Sequence, residues 1–436
     1  MTIYALATAP GRAAIAVLRV SGPAAAAALI ALAGPLPAPR TAALRQLRDV
    51  DGQPIDQALV LWFPAPASET GEDMAEFQVH GGRAVVEAVL RALGAIPGLR
   101  PAEPGEFARR AFANGKLDLT AAEGLADLVA AETDAQRRQA LHQLEGGLAH
   151  LYDGWRRTLI DLSARLEAAI DFPDEGLPTD LTAGVARSID DLAVQVRAHL
   201  DDGRRGERLR EGFHVAIIGR PNVGKSSLLN RLARREAAIV APEPGTTRDV
   251  IEVSLDLDGL PVTVADTAGV RDAGGAVERE GMRRARRTAD QADLKILIGD
   301  SEHIGTGAPD LGFAPDERTI VAINKCDLAR PGPSPGAAWY PISCVTDEGI
   351  DALVRAVTDR LRSQAWQGGG PVLTRARHRA ELEATLAALD RAASGTAPEL
   401  VAEDLRLAAR CLGRITGRVD VEDVLDRLFA EFCIGK

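Results

Sequence analysis

Gly219-Arg220-Pro221-Asn222-Val223-Gly224-Lys225-Ser226 follows the apolar run His214 to Ile218 and precedes Ser227 to Leu232, so it joins a buried strand to a helix. The spacing fits G-x-x-x-x-G-K-[ST], in which glycines let backbone N–H groups turn inward around an anion. Lys225 supplies a point charge for the β- and γ-phosphates of a nucleotide, and the Ser226 hydroxyl offers oxygen to Mg²⁺. The N-terminus of the following helix faces the same anion. Asn222, Val223, Gly224, Lys225, Ser226 and Ser227 are therefore the expected phosphate-binding residues, on an α/β domain.

Three further stretches lie downstream in the order a guanine-nucleotide switch needs. Thr246-Thr247-Arg248-Asp249 offers hydroxyls to Mg²⁺ and the γ-phosphate. Asp266-Thr267-Ala268-Gly269 ends the apolar strand Val262 to Ala265 and offers an outer-sphere carboxylate and a γ-phosphate N–H. Asn324-Lys325-Cys326-Asp327 follows the strand Thr319 to Ile323. An Asp there accepts both N1–H and N2–H of guanine, a donor pair that adenine lacks. Ser343, in Ile342-Ser343-Cys344, fits the last base-contacting loop. Together these motifs predict GTP binding and hydrolysis.

At 436 residues the chain has room for about three domains. Its 46% hydrophobic and 26% charged residues predict a soluble globular protein. No apolar run reaches the roughly 20 residues of a membrane-spanning helix. Ala24 to Ala33 is apolar, but nothing before Arg12 is positive, so a strand (Ala14 to Val20) and a helix (Pro23 to Leu32) are expected rather than a secretory signal. Cys326, Cys344, Cys411 and Cys433 form no C-x-x-C pair, and the histidines show no ligand-like spacing. A cytoplasmic location is the expectation. The net charge of −11 argues against indiscriminate coating of nucleic acid. Any RNA contact must be local or shared with a partner: Arg204, Arg205, Arg208 and Arg210, and Arg283, Arg284, Arg286 and Arg287, are two clusters that could serve, against the plainer reading of solvated helix faces.

Residues 1–117 mix short β-like runs (Leu59 to Phe63, Glu76 to Val79) with a helical one (Ala84 to Leu93), predicting a small α/β domain. Thr120-Ala121-Ala122-Glu123 has the form of a capping box. Leu141, Leu144, Leu148, Leu151, Trp155, Leu159, Leu162, Leu166 and Ile170 recur at helical spacing. They predict one long helix of about 45 Å, with Gly146-Gly147 as a possible bend. Ile189, Leu192, Val196 and Leu200 predict another. Arg375 to Ala393, Ala402 to Leu412 and Val421 to Phe432 are helical again, the last capped by Asp420. A stripe this long needs partners, so residues 118–211 and 366–436 are expected to form one discontinuous helical domain. A Ras-like P-loop domain, 212–365, is inserted between them. The fold class is thus multidomain α/β plus all-α. Phe432 to Lys436 reads as a short tail without a core role, and Asp300 to Pro315 carries no motif.

The hydrolytic machinery is less explicit. A glutamine commonly follows the D-x-x-G glycine and orients the attacking water; here it is Val270. Arg248 is a candidate cationic finger, or a structural partner of Asp249. Asn222 offers an oxygen to a monovalent cation against the phosphates, which would do the work of such a finger. Glu278 and Glu280 are both candidates to position water.

The chain resembles the MnmE (TrmE) family of tRNA modification GTPases over its full length. The likeness rests on Leu18-Arg-Val-Ser-Gly22, Gly71-Glu-Asp73 with His80-Gly-Gly82, Asn114-Gly-Lys-Leu-Asp118, the phosphate loop with Gly245-Thr-Thr-Arg-Asp249, and the terminal Phe432-Cys-Ile-Gly-Lys436. The resemblance implies that residues 1–117 bind a 5,10-methylene- or 5-formyl-tetrahydrofolate and make a homodimer. Arg19, Glu76, Lys116 and Lys436 match its folate contacts. It implies K⁺ held by Asn222, Ala241, Glu243 and Thr246, Mg²⁺ held by Ser226 and Thr247, and Glu278 rather than Glu280 as the water-positioning residue. Cys433 matches a cysteine needed for modification. The implied reaction installs an aminomethyl-type group on C5 of the wobble uridine of certain tRNAs. It is carried out with a FAD-dependent partner in a heterotetramer or larger assembly, away from membranes. The loop Ala241-Pro242-Glu243-Pro244-Gly245 departs from the family in its two prolines, whose fixed φ bears on the K⁺-facing carbonyls. Two other readings, a ribosome-assembly GTPase and a signalling switch, share the nucleotide motifs. The assembly GTPase lacks the folate-like N-terminal domain and the Cys-Ile-Gly-Lys end, and the signalling switch requires slow intrinsic turnover with dedicated exchange and activating proteins.

Overall fold

The computed structural model describes residues 1–171, 180–220, 222–235, 238–239, 251–266, 287–301, 315–330, 339–365, 370–419, 422–430, 432 and 434–435. The chain divides into two compact units, one of 1–126, 143–189 and 387–436, the other of 127–142 and 190–386.

The first unit holds a six-stranded sheet in the order β3-β4-β5-β2-β1-β6. Its strands are β1 (Thr2–Leu6), β2 (Ile15–Ser21), β3 (Ala43–Arg48), β4 (Pro54–Phe63), β5 (Met74–His80) and β6 (Leu99–Pro101). All neighbours are antiparallel except β1 and β6. Alternation decides which face is covered: Ala16, Leu18 and Val20 of β2 and Ala75, Phe77 and Val79 of β5 pack with α1 (Ala25–Ala33) and α2 (Arg83–Gly94). The opposite face carries Ile15, Arg19, Leu44, Leu59, Glu76 and His80, partly or fully exposed.

Helices α3 (Glu106–Ala113), α4 (Leu119–Ala130), α5 (Asp134–Leu144) and α6 (Gly147–Asp171) follow. The capping box is corrected here. Asp118 Oδ1 accepts from the N–H groups of Thr120 (2.8 Å) and Ala121 (3.1 Å), so Asp118 caps α4 and Thr120 lies buried inside it. The single long helix is corrected too. Its stripe is shared by α5 and α6, because Gly146 takes φ +90, a left-handed conformation that ends a helix rather than bending it.

After α7 (Asp180–Leu200), α8 (Arg205–Glu211), the nucleotide domain with α9 (Lys225–Arg235) and α10 (Ile350–Arg362), and α11 (Ala376–Ser394), the chain closes with α12 (Pro398–Thr416) and α13 (Glu422–Ala430). Helix α12 packs along α6, with Arg406 on Glu167 (2.8 Å) and Arg418 on Asp153 (2.5 Å) at the edges. Segments more than two hundred residues apart thus share one helical core, as the unpartnered stripe required. Asp420 lies outside the described residues. The tail does have a core role, contrary to expectation. Phe432 is buried with Phe429, Leu428, Ala108, Leu119 and Ala122, Ile434 bridges to Pro104, and Gly435 sits so close to Leu6 that an added Cβ would stand 2.2 Å from the Leu6 carbonyl. Burying one Phe side chain contributes about 1.5–3 kcal/mol, enough to seat a short segment.

The second unit holds a seven-stranded sheet, β13-β12-β11-β7-β10-β9-β8. The strands are β7 (Phe213–Ile218), β8 (Ala238–Ile239), β9 (Ile251–Leu257), β10 (Leu260–Asp266), β11 (Leu294–Asp300), β12 (Thr319–Asn324) and β13 (Trp339–Pro341). The five strands from β13 to β10 are parallel. β7, β10 and β11 are buried almost throughout, as parallel strands covered on both faces should be. Helices α9 (Lys225–Arg235) and α10 (Ile350–Arg362) supply part of that cover. Helix α11 (Ala376–Ser394) begins beside α7 and α8: Arg379 bonds Asp202 (2.8 Å), Glu207 (3.2 Å) and the Leu200 carbonyl. The first basic cluster is largely neutralised, since Arg204 pairs with Glu207, Arg208 with Asp293 and Arg210 with Asp127. Of the second cluster only Arg287 is described.

Candidate active site

The parallel register lines up the strand ends: Asp266 lies level with Ile217, and Asp300 with Asn324. The quoted loop leaves β7 at this edge, where open α/β sheets bind ligands. Gly219 is required here, because a Cβ would lie 2.2 Å from the Ile298 carbonyl. Asn222 follows with φ +65, which an Asn tolerates better than most residues.

Lys225 opens α9 nearly buried, and its ammonium donates to the carbonyls of Gly219 (3.0 Å) and Arg220 (2.7 Å). Burial pulls its pKa below the usual lysine value, and the Asp266 carboxylate offsets part of that. Ser226 donates its hydroxyl to Asp266 Oδ2 at 2.5 Å. A hydroxyl oxygen backed by a buried carboxylate is a hard donor suited to Mg²⁺.

Asn324 joins the two halves of the site. Its Nδ2 donates to the Val223 carbonyl (2.9 Å), and its Oδ1 accepts from the Cys344 N–H (3.1 Å). The asparagine thus spans the phosphate loop and the last loop, fixing their spacing. Gly224 is its counterpart: a Cβ there would sit 2.2 Å from Asn324 Nδ2. Asp327 is exposed, with its carboxylate available to a base. Ser343 is fully buried, and its hydroxyl accepts from the Val345 and Thr346 N–H groups, so it shapes the loop. The Cys344 thiol is pushed up to about 11, chiefly by burial, and stays protonated.

In the first unit, Arg19 and Glu76 face each other across β2 and β5, Nε to Oε1 at 2.9 Å, with Glu69 on the other side of the guanidinium at 2.7 Å. Lys116 is exposed in the loop after α3. His80, at the same face, pairs with Asp56 at 2.8 Å. Ala241, Glu243, Thr246, Thr247, Arg248, Thr267, Ala268, Gly269, Glu278, Cys433 and Lys436 lie outside the described residues.

Sequence reading passed over Asp300 and Ser301. Both are buried at the end of β11, with Ser301 Oγ on the Lys325 carbonyl (2.7 Å) and Asp300 beside the Lys325 ammonium (3.3 Å). The available signal was a charged residue closing an apolar strand next to the one that carries Asn324.

The fold and this edge define a P-loop nucleotide-binding protein with an added N-terminal sheet and helical core. Family models match both regions: "GTP-binding protein TrmE N-terminus" over residues 2–116 and "MnmE helical domain" over 119–433. The chain is 57% identical to a "tRNA modification GTPase MnmE" of Parvibaculum lavamentivorans, over 100% of both chains. It is 55% identical to that of Rhodospirillum rubrum, over 100% of this chain and 99% of the relative. It belongs to the MnmE/TrmE family. Among solved structures, the G-domain of FeoB from Methanococcus jannaschii is similar over 34% of this chain and 98% of its own, with 23% identity and a TM-score of 0.25.

Proposed function

We propose that this chain hydrolyses GTP to GDP and phosphate under K⁺ activation. As a homodimer with a FAD-dependent partner protein, it uses that cycle to install an aminomethyl or carboxymethylaminomethyl group at C5 of the wobble uridine of certain tRNAs. A tetrahydrofolate bound by the N-terminal sheet supplies the one-carbon unit. In this reading the domains run 1–117 for folate binding and dimerisation, 118–211 and 366–436 for the helical domain, and 212–365 for the GTPase. The relatives' shared name and full-length match support the tRNA and GTP parts. The Ser226–Asp266 pair beside buried Lys225 supports the nucleotide chemistry most directly.

Each residue then has a task. The Lys225 ammonium exchanges two carbonyl partners for the β- and γ-phosphates. Ser226 and Thr247 hold Mg²⁺, with Asp266 hydrogen-bonded behind Ser226; the ion, when bound, neutralises charge on the phosphates. Asp327 accepts N1–H and N2–H of guanine. Asn222, with Ala241, Glu243 and Thr246, would hold K⁺, which would supply positive charge to the phosphates; Arg248 would reinforce it, and Glu278 would position water. Arg19, Glu76, Lys116 and Lys436 hold the folate: the guanidinium suits its carboxylate or carbonyl oxygens, and Glu76 its amino-pyrimidine donors. Cys433 serves the modification step.

Among the described residues no helix is long and apolar enough to cross a membrane. The deciding experiment is GTP turnover in K⁺ and in Na⁺ at matched ionic strength, for wild type and Asn222→Ala. Potassium stimulation that the variant loses is the expected result. Equal wild-type rates in both salts would remove K⁺ from the mechanism.

A further inference from the structure

Lys325 has φ +63, a conformation that residues with a Cβ rarely adopt. It turns the chain so that Cys326 points inward, 5% exposed with its N–H on the Ile342 carbonyl (3.1 Å), and Asp327 points to solvent. A strained turn persists only where its surroundings over-determine it. The Lys325 carbonyl accepts from the Leu328 (3.0 Å) and Ala329 (3.3 Å) N–H groups, contacts within the turn, and from Ser301 Oγ (2.7 Å), one from outside it. Its ammonium is held by Asp300 Oδ2 at 3.3 Å. Asp300 and Ser301 are each 7% exposed, at the end of the strand in register with Asn324.

We infer that Asp300 and Ser301 are positioning residues for guanine recognition, acting through Lys325 on a loop they hold ready for the base. Ser301 fixes the left-handed turn that aims Asp327. Asp300 holds the Lys325 charge at the sheet edge, which leaves the four-carbon stem as the apolar surface available to a purine. A loop formed in advance loses less freedom on binding, so its effect falls on affinity rather than on the chemical step. This rests on the reading of Asn324 to Asp327 as the base-binding loop.

The test measures GDP affinity by calorimetry and GTP turnover for Asp300→Asn, Ser301→Ala, Ser301→Thr, Lys325→Met and the Asp300→Asn/Lys325→Met double variant. Asp300→Asn and Ser301→Ala should each weaken GDP binding and raise KM by about 10-fold, with kcat at saturating GTP within about 2-fold. Ser301→Thr should restore affinity. The double variant should bind little worse than Lys325→Met alone. The inference is overturned if both single variants bind GDP within about 2-fold of wild type, if the two substitutions add independently, or if kcat falls together with affinity. Should Asp300→Asn fail to fold, Ser301→Ala and its threonine rescue decide. Asp327→Asn separates the two levels: it should exchange guanine for xanthine nucleotide, and unaltered GDP affinity would remove the base-loop reading and this inference with it.

Discussion

The two sheets of this protein carry their proposed functional groups in opposite ways. In the nucleotide sheet, parallel strands are covered on both faces, so side chains with chemistry sit only at the strand ends: Lys225 after β7, Asp266 closing β10, and Asn324 closing β12. Each is flanked by loop residues adjacent in sequence, and the site reads as a string of short motifs. In the N-terminal sheet, antiparallel strands leave one face uncovered, and Arg19 and Glu76 meet on it across strands 57 residues apart in sequence. A face site is spread over the chain two residues at a time, and no local pattern announces it. That is why the nucleotide site could be read from residues alone, whereas the folate assignment came from family resemblance.

The comparison predicts that each site can be damaged without the other. Lys225→Ala should cut GTP turnover by about 10²–10³-fold while leaving 5-formyl-tetrahydrofolate binding at wild-type strength, measured by steady-state kinetics and calorimetry. Loss of folate binding in that variant would mean the sites are not independent. The nucleotide unit also carries a half-buried titratable group. His199 is pulled from 6.5 down to about 4 by burial, with Asp202 opposing and His378 and Arg379 reinforcing the shift. Its folded pKa lies below its unfolded one, so the unfolded chain takes up the proton first. Stability is greatest above pH 6.5 and is lost as pH falls toward 4, by up to about 3 kcal/mol. His199→Phe should flatten that limb in denaturant titrations at pH 7, 5.5 and 4.5, and an unchanged slope would place the acid sensitivity elsewhere.

Smaller effects sharpen the contrast. Gly224→Ala forces a Cβ at φ +103 against Asn324, so GDP affinity should drop by about 10-fold through the coupled loops, and Asn324→Ala should relieve part of the loss. Arg19→Lys keeps the charge but gives up the planar fork that Glu76 and Glu69 now share. Folate affinity should fall by several-fold with GTP turnover unaffected. Equal folate affinity in that variant would take Arg19 out of the proposed contacts.

The corrections show where local reasoning ended. Thr120 to Glu123 satisfies a capping-box pattern, yet Asp118 two residues earlier caps the helix, because Thr120 is drawn into the core. The stripe from Leu141 to Ile170 has unbroken helical spacing, yet Gly146 in a left-handed conformation divides it. Phe432 to Lys436 reads as an appendage, yet Ile434 sits beside Pro104 and Gly435 beside Leu6, residues more than three hundred positions away.

The sequence by itself determined the nucleotide loop, the guanine motif and the apolar strands that carry them. Glycine spacing, a terminal lysine and apolar runs act through neighbouring backbone, and their meaning survives without a partner. Only the tertiary structure decided that Asn324 locks the phosphate loop to the last loop, that Arg19 meets Glu76, and that Ser301 bonds the Lys325 carbonyl while Asp300 pairs with its ammonium. Hydrogen bonds and ion pairs act over about 3 Å of space whatever the separation along the chain, so such pairings are fixed by packing and register rather than by sequence spacing.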